Sequence, residues 1–70
     1  MNIILYKGPT CPKCRVVALK IDQKGIKYEV IDDVQQILAA GVKTIPTLEV
    51  DGVRYSDVKA CNDWINAQEG

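Results

Sequence analysis

The 70-residue sequence predicts an α/β fold of order β-α-β-α-β-β-α, a four-stranded mixed sheet packed by three helices. Three observations carry that prediction. Within residues 2–31 a strand, a helix and a second strand follow one another, the order that parallel strands need because their connection must cross over the sheet. Asp51-Gly52 separates two short β-rich runs, the signal of a tight hairpin and so of antiparallel pairing. An amphipathic helical stretch closes the chain.

Asn2 to Tyr6 is a mostly apolar run with β-branched and aromatic members, and Gly8-Pro9 directly after it reads as a loop. From Pro12 to Lys24, Cys14, Val17, Ala18 and Ile21 recur at helical spacing, with Lys13, Lys20 and Lys24 left for solvent and Gly25 just past the end. Ile26 to Ile31 alternates Ile26, Tyr28 and Val30 against Lys27 and Glu29, the period of a strand with one covered face. Asp32-Asp33 offers a cap for a short second helix, with Val34, Ile37 and Leu38 as its apolar stripe before Gly41. Thr47–Val50 and Val53–Tyr55 are the hairpin strands, and Gly52 supplies the positive φ that a primed turn needs. Ser56 or Asp57 then caps a last helix to about Gln68, burying Val58, Cys61, Trp64 and Ile65.

Composition narrows the function classes. Hydrophobic residues at 47% and charged residues at 26% describe a globular chain rather than a disordered one, and the length fits one domain over residues 1–70. Nine Lys and Arg balance nine Asp and Glu, so no overall positive field recruits nucleic acid or an anionic membrane. The charge is unevenly placed: residues 1–31 carry six bases against two acids, and residues 32–70 carry three against seven. No run is long enough to span a membrane and the start lacks the features of a signal peptide, so a cytoplasmic chain is expected. Three cysteines, two of them three apart, do not make the staples of a secreted scaffold; in a reducing compartment such a pair reads as reactive.

Cys11-Pro12-Lys13-Cys14 is the sharpest feature. Two intervening residues at a helix start bring two sulfurs close enough to alternate between dithiol and disulfide. Pro12 suits the first helical position, where its missing N–H costs nothing, and this makes Cys11 the N-cap. The Cys11 sulfur then faces free backbone N–H groups of Lys13 and Cys14 and the positive end of the helix dipole, which favour thiolate over thiol. Lys13, Arg15 and Lys7 add favourable charge. Cys11 is thus the expected nucleophile. Cys14, one turn inside and beside Val17 and Ala18, is the expected resolving thiol.

Other readings of the cysteines carry less. A zinc site lacks ligands, because the chain has no His and only Cys61 besides the pair; no metal is expected. Burial of both cysteines as inert core residues sits badly with a helix start next to Gly8-Pro9. Cys61 shares the periodic face of Val58, Trp64 and Ile65 and reads as a small core residue, as does Trp64. Tyr6 either approaches the cleft or covers the sheet. Lys43-Thr44-Ile45-Pro46-Thr47 places a proline directly before a strand, which taken alone is equally an edge marker or part of a site.

Leu5-Tyr6-Lys7-Gly8-Pro9-Thr10-Cys11-Pro12-Lys13-Cys14, Gly25 through Asp32, Thr44-Ile45-Pro46-Thr47-Leu48 and Asp51-Gly52 together resemble the glutaredoxin family, over nearly the whole chain. The resemblance implies a compact thioredoxin-like fold and a thiol–disulfide oxidoreductase that reduces protein disulfides or glutathione mixed disulfides. It implies a cis Pro46 facing the cysteines, with the Ile45 backbone pairing to an extended thiol substrate. It maps Lys43, and more loosely Lys7, onto basic positions that meet glutathione carboxylates; both are also ordinary solvated lysines on the bland reading. Lys13 and Thr44 belong to the same implied substrate-binding set. No bound cofactor is implied, with glutathione as reductant or co-substrate and disulfide-containing or glutathionylated proteins as partners of a monomer.

The resemblance breaks after the hairpin. Many glutaredoxins carry a Gly-Gly pair and Asp at the start of the last helix, where this chain has Arg54-Tyr55-Ser56-Asp57-Val58. Ser56 and Asp57 still offer helix-start donors and a carboxylate, without the close approach that glycines allow. The alternatives are a redoxin fed by a thioredoxin-reductase-type flavoprotein and donating to ribonucleotide reductase, and a non-catalytic interaction or electron-relay module.

Overall fold

The structure, a computed structural model, describes residues 2–8 and 11–68; Pro9 and Thr10, read above as part of the loop before the cysteines, lie outside the described residues. Its elements are β1 (Ile3–Tyr6), α1 (Pro12–Gln23), β2 (Glu29–Ile31), α2 (Val34–Ala39), β3 (Thr47–Val50), β4 (Val53–Tyr55) and α3 (Val58–Asn66). The sheet order is β2-β1-β3-β4; β1 and β2 run parallel and the other pairings are antiparallel. This is the β-α-β-α-β-β-α topology that the sequence predicts.

Strand alternation decides what each side of the sheet buries. Ile3 and Leu5 of β1, with Leu48 and Val50 of β3, face Val17 and Ile21 of α1 and Cys61 and Ile65 of α3. Tyr6 faces the other way, onto Ile37 of α2 and Val42, with Ile4, Ile31 and Ala40 around them. The sheet therefore separates α1 and α3 from α2. Leu5, paired with Val30 on one side and Leu48 on the other, is fully buried at the centre.

Local chemistry explains the element ends. Gly25, just past the Lys24 cap of α1, has φ +70°. The hairpin has positive φ at both central residues, +49° at Asp51 and +88° at Gly52, as a type I′ turn requires. Asp51 also accepts the Asn2 backbone N–H on its carboxylate at 2.7 Å, tying the turn to the start of β1. Asp57 rather than Ser56 caps α3, its Oδ1 accepting the Ala60 N–H at 2.6 Å. α3 ends at Asn66, two residues before the predicted end, within the usual fraying of helix termini.

Two expectations need correction. The strand read over Ile26–Ile31 pairs only over Glu29–Ile31; Ile26 and Tyr28 still pack against the core, but from irregular backbone. Val30 shares a face with Leu5 yet sits at the edge of the sheet and stays 40% exposed. The stripe of α2 is also not buried as a unit. Ile37 is covered, while Val34 and Leu38 are 58% and 67% exposed, because six helical residues present only one side chain squarely to the sheet. Cys61 is fully buried and donates its thiol to the Tyr55 carbonyl at 3.4 Å; Trp64 is half-buried with its ring 6.4 Å from that of Tyr55. Among the described residues no helix is long and apolar enough to cross a membrane.

Candidate active site

β1 delivers the chain to the end of the sheet, and the cysteines follow at the first turn of α1. Cys11 is the N-cap, with extended backbone (φ −102°, ψ 108°), and Pro12 opens the helix behind it. The backbone N–H of Cys14 donates to Cys11 Sγ at 3.2 Å, and the Arg15 N–H donates to the Cys11 carbonyl at 3.2 Å. A proline at the second position and a sulfur in place of a capping oxygen thus satisfy helix-start groups without removing the sulfur from solvent.

The two thiols are pushed apart. A hydrogen bond from the Cys14 thiol is the main influence lowering Cys11 below its ordinary 9.0; burial is next and opposes it, and the Cys14 and Lys13 backbone N–H groups and the Lys13 charge each add a smaller lowering effect. Burial is the main influence on Cys14, which is 1% exposed; with the hydrogen bond to Cys11 it is pushed up to about 11. Burial also pushes the Cys61 thiol up. All three cysteines are free. A lowered, partly exposed thiol in front of a raised, buried one can attack an external disulfide and then be resolved from within.

The second wall of the site is the loop before β3. Its Ile45-Pro46 bond is cis, Pro46 is buried, and Ile45 is 39% exposed. Thr47 Oγ1 donates to the Thr44 carbonyl at 2.6 Å and Thr44 Oγ1 donates to the Ser56 carbonyl at 3.3 Å, so the loop is tied to itself and to the start of α3. Gly8 lets this loop come close. A Cβ there would meet Ile45 Cδ1 at 2.6 Å and Cys11 Cβ at 3.7 Å, so any side chain would displace Ile45.

Two openings meet at Gly8. A cleft of about 590 Å³ is lined by Lys7, Gly8, Cys11, Pro12, Arg15 and Val16 among others. A groove of about 220 Å³ lies on the α2 side, where Gly8, Val34, Leu38, Val42, Lys43 and Ile45 contribute. Lys7 and Pro12 therefore share the cleft of Cys11, and Lys43, Thr44 and Ile45 line the groove. Lys13 is exposed on α1 and lines neither opening; Ser56 reaches the site only through its carbonyl, and Asp57 is engaged as the α3 cap. Gly52 lies in the hairpin turn. Residue reading missed Gly8, Val34 and Leu38 as parts of the site: Gly8 looked like loop punctuation and the other two like core. Among the described residues no three His, Cys, Asp or Glu side chains gather as a metal centre would need.

Comparison with known proteins agrees with the fold. A protein family described as "Thioredoxin domain" matches residues 1–57. No curated protein matches significantly. Among solved structures, the glutaredoxin-like protein NrdH-redoxin from Escherichia coli superposes with a TM-score of 0.75 at 20% identity, over 100% of this chain and 97% of that one. The thioredoxin-like protein BC3987 gives 0.75 at 21% identity, over 91% and 99%. Glutathione transferase Omega 3C from Trametes versicolor gives 0.74 at 22% identity, over 96% of this chain and 34% of that one. At these identities the likeness is one of fold.

Proposed function

The chain belongs to the thioredoxin-domain family, and from that premise we propose that it is a glutaredoxin-like thiol–disulfide oxidoreductase that reduces protein disulfides or glutathione mixed disulfides through Cys11 and Cys14. The observation that carries this reading is the asymmetry of the pair: Cys11 Sγ at the helix start accepts a hydrogen bond from the Cys14 N–H, and the Cys14 side chain is buried behind it.

The reaction runs in two exchanges. The Cys11 thiolate attacks one sulfur of the substrate disulfide; a new S–S bond forms, the old one breaks, and the other sulfur leaves as a thiolate that takes up a proton. Cys14 then loses its proton and displaces the bound sulfur from Cys11, leaving the Cys11–Cys14 disulfide. Two electrons and two protons have passed from the dithiol to the substrate. The raised Cys14 does not compete as nucleophile before the mixed disulfide forms; once Cys11 is in that disulfide it carries no charge, the hydrogen bond and the charge that help hold the Cys14 proton are gone, and the proton passes to solvent or to the thiolate released. The Ile45 backbone, in the loop that approaches Gly8, is suited to pair with an extended substrate, with Lys7 in the cleft of Cys11 and Lys43 in the groove as the charge nearby.

Glutathione, or a thioredoxin-reductase-type flavoprotein, restores the dithiol. One observation favours the flavoprotein: Asp57, the carboxylate available for a glutathione ammonium, already caps α3 through Oδ1. The likeness to NrdH-redoxin, described as having a thioredoxin-like activity profile, points the same way; ribonucleotide reductase stays the candidate acceptor that the sequence resemblance implies.

The test is a stoichiometric one. Pre-reduced protein mixed with a small aromatic disulfide should release two thiols per chain and end with Cys11 joined to Cys14 by mass mapping. Cys11→Ser should release none, and Cys14→Ser should stop at the mixed disulfide. Release of thiol by Cys11→Ser at the wild-type rate would sink the assignment.

A further inference from the structure

Two openings meet at one glycine: one sets Lys7 and Arg15 among Pro12, Val16 and Ala18 and holds the reactive sulfur, and the other is lined chiefly by aliphatic side chains with Lys43 among them. We infer, on the strength of the redox reading above, that the preferred substrate is an extended polypeptide whose disulfide-bonded cysteine is flanked by an aliphatic residue on one side and an acidic residue on the other.

A segment bonded to Cys11 has two ways out across Gly8, which lines both openings. One leads past Lys7 and Arg15. Neither makes a salt bridge among the described residues, where the ion pairs are Arg54 with Glu49 and Lys59 with Asp63. They lie in the half of the chain with six bases against two acids. An acidic side chain is the complement of that side. The other way leads over Val34, Leu38 and Ile45, which are 58%, 67% and 39% exposed and which the fold itself does not cover. An aliphatic side chain laid there removes apolar surface of both partners from water. Gly8 lines both openings, so the groove adjoins the site and an extended segment crossing Gly8 would reach both. A small charged thiol such as glutathione has carboxylates but no aliphatic side chain, and in the groove only Lys43 would answer a carboxylate.

The experiment is a single turnover with pre-reduced protein and four symmetric peptide disulfides in otherwise identical sequences, carrying Leu-Cys-Glu, Glu-Cys-Leu, Gly-Cys-Gly, or the faster Leu/Glu order with Lys in place of Glu. Each event oxidises Cys11 and Cys14 to their disulfide and yields two peptide thiols. At least one order of the Leu/Glu pair should react about tenfold faster than Gly-Cys-Gly. Leu38→Asp should shrink that preference to about twofold, and Arg15→Glu should transfer it from the Glu-bearing to the Lys-bearing peptide. Both side chains are exposed, and a transferred preference cannot arise from a damaged fold. Equal rates for all four peptides with the wild type, or a Glu preference that survives Arg15→Glu, would overturn the inference and leave the redox assignment standing. Failure of the wild type to reduce any peptide or the small aromatic disulfide would remove both.

Discussion

Cys14 donates its backbone N–H to the Sγ of Cys11 at 3.2 Å while its own side chain is only 1% exposed. One residue thus stabilises the thiolate of the other and is itself kept a thiol. Because the Cys14 thiol is the leading influence that lowers Cys11, removing it should be visible at Cys11. Alkylation of Cys11 against pH, in Cys14→Ser and Cys14→Ala, should give a higher midpoint for Cys14→Ala, where no side-chain donor remains. In Cys11→Ser, Cys14 should alkylate slowly at neutral pH. Faster neutral alkylation of Cys14 than of Cys11 would reverse the roles.

The raised Cys14 also links stability to pH. A thiol whose folded value lies above its unfolded one favours the folded state fully below the unfolded value, and that contribution fades as pH rises through the folded value. The window here runs from 9.0 to about 11. Urea unfolding of the reduced protein at steps across that window should show wild type losing stability relative to Cys14→Ala as pH rises. Wild type gaining stability relative to Cys14→Ala as pH rises would contradict the burial assigned to Cys14.

Arg54 ties the α2 side of the molecule together. Its Nη2 donates to the Ala40 carbonyl at 2.7 Å, its Nε donates to Glu49 Oε1 at 2.8 Å, and its guanidinium lies 5.9 Å from the centre of the Tyr6 ring. The end of α2 leads directly into the loop that carries Ile45, so Arg54 anchors the near end of that loop. Arg54→Ala should lower the urea midpoint of unfolding slightly, since the bonds it removes are solvent-exposed. Amide exchange should quicken most at Gly41 and Val42, which bond back to Leu38 and Ile37. Uniform acceleration across the sheet would argue against a local anchor.

How much of this was legible beforehand depends on which interactions are local. The cap at Cys11, the turn at Asp51-Gly52 and the buried face of α1 follow from short-range spacing, and the structure has them where the sequence places them. Topology followed too, because a βαβ start and a tight hairpin leave few ways to arrange four strands. The exposure of Val34 and Leu38 was not legible. On a helix of six residues, spacing of three and four marks an apolar side but not which member meets the sheet. Gly8 escaped for a different reason: what a side chain there would meet is the tip of Ile45, 37 positions away by residue number, and no local pattern records that approach.

Thr47 is nearly fully buried and spends its hydroxyl on the Thr44 carbonyl at 2.6 Å. Thr47→Val keeps the shape and removes the donor, so it should cost about 1 kcal/mol by thermal or urea unfolding. Exchange with a disulfide substrate should slow several-fold beyond what that loss of stability explains, because Thr44 and Ile45 form the shelf of the groove that adjoins the Cys11 cleft at Gly8. Unchanged exchange at unchanged stability would show that the shelf holds without this bond.

The reductant divides the reading most sharply. Lys43 is exposed at the rim of the groove and makes no ion pair among the described residues, so it is available to a glutathione carboxylate. Exposed pairs of this kind contribute only about 0.2–1 kcal/mol each, too little to replace a backbone site at the start of α3, where Asp57 is already a cap. Turnover with glutathione and glutathione reductase should therefore be measurable but weak. Lys43→Glu exchanges a favourable charge for a repelling one and should lower it by roughly two- to fivefold, and added salt should narrow the gap between the two proteins because it screens attraction and repulsion alike. NADPH consumption measured in parallel with thioredoxin reductase supplies the comparison. If glutathione leaves the Cys11–Cys14 disulfide intact while the flavoprotein reduces it readily, the glutaredoxin-like reading gives way to the reductase-coupled one, with the same two cysteines and the same order of attack.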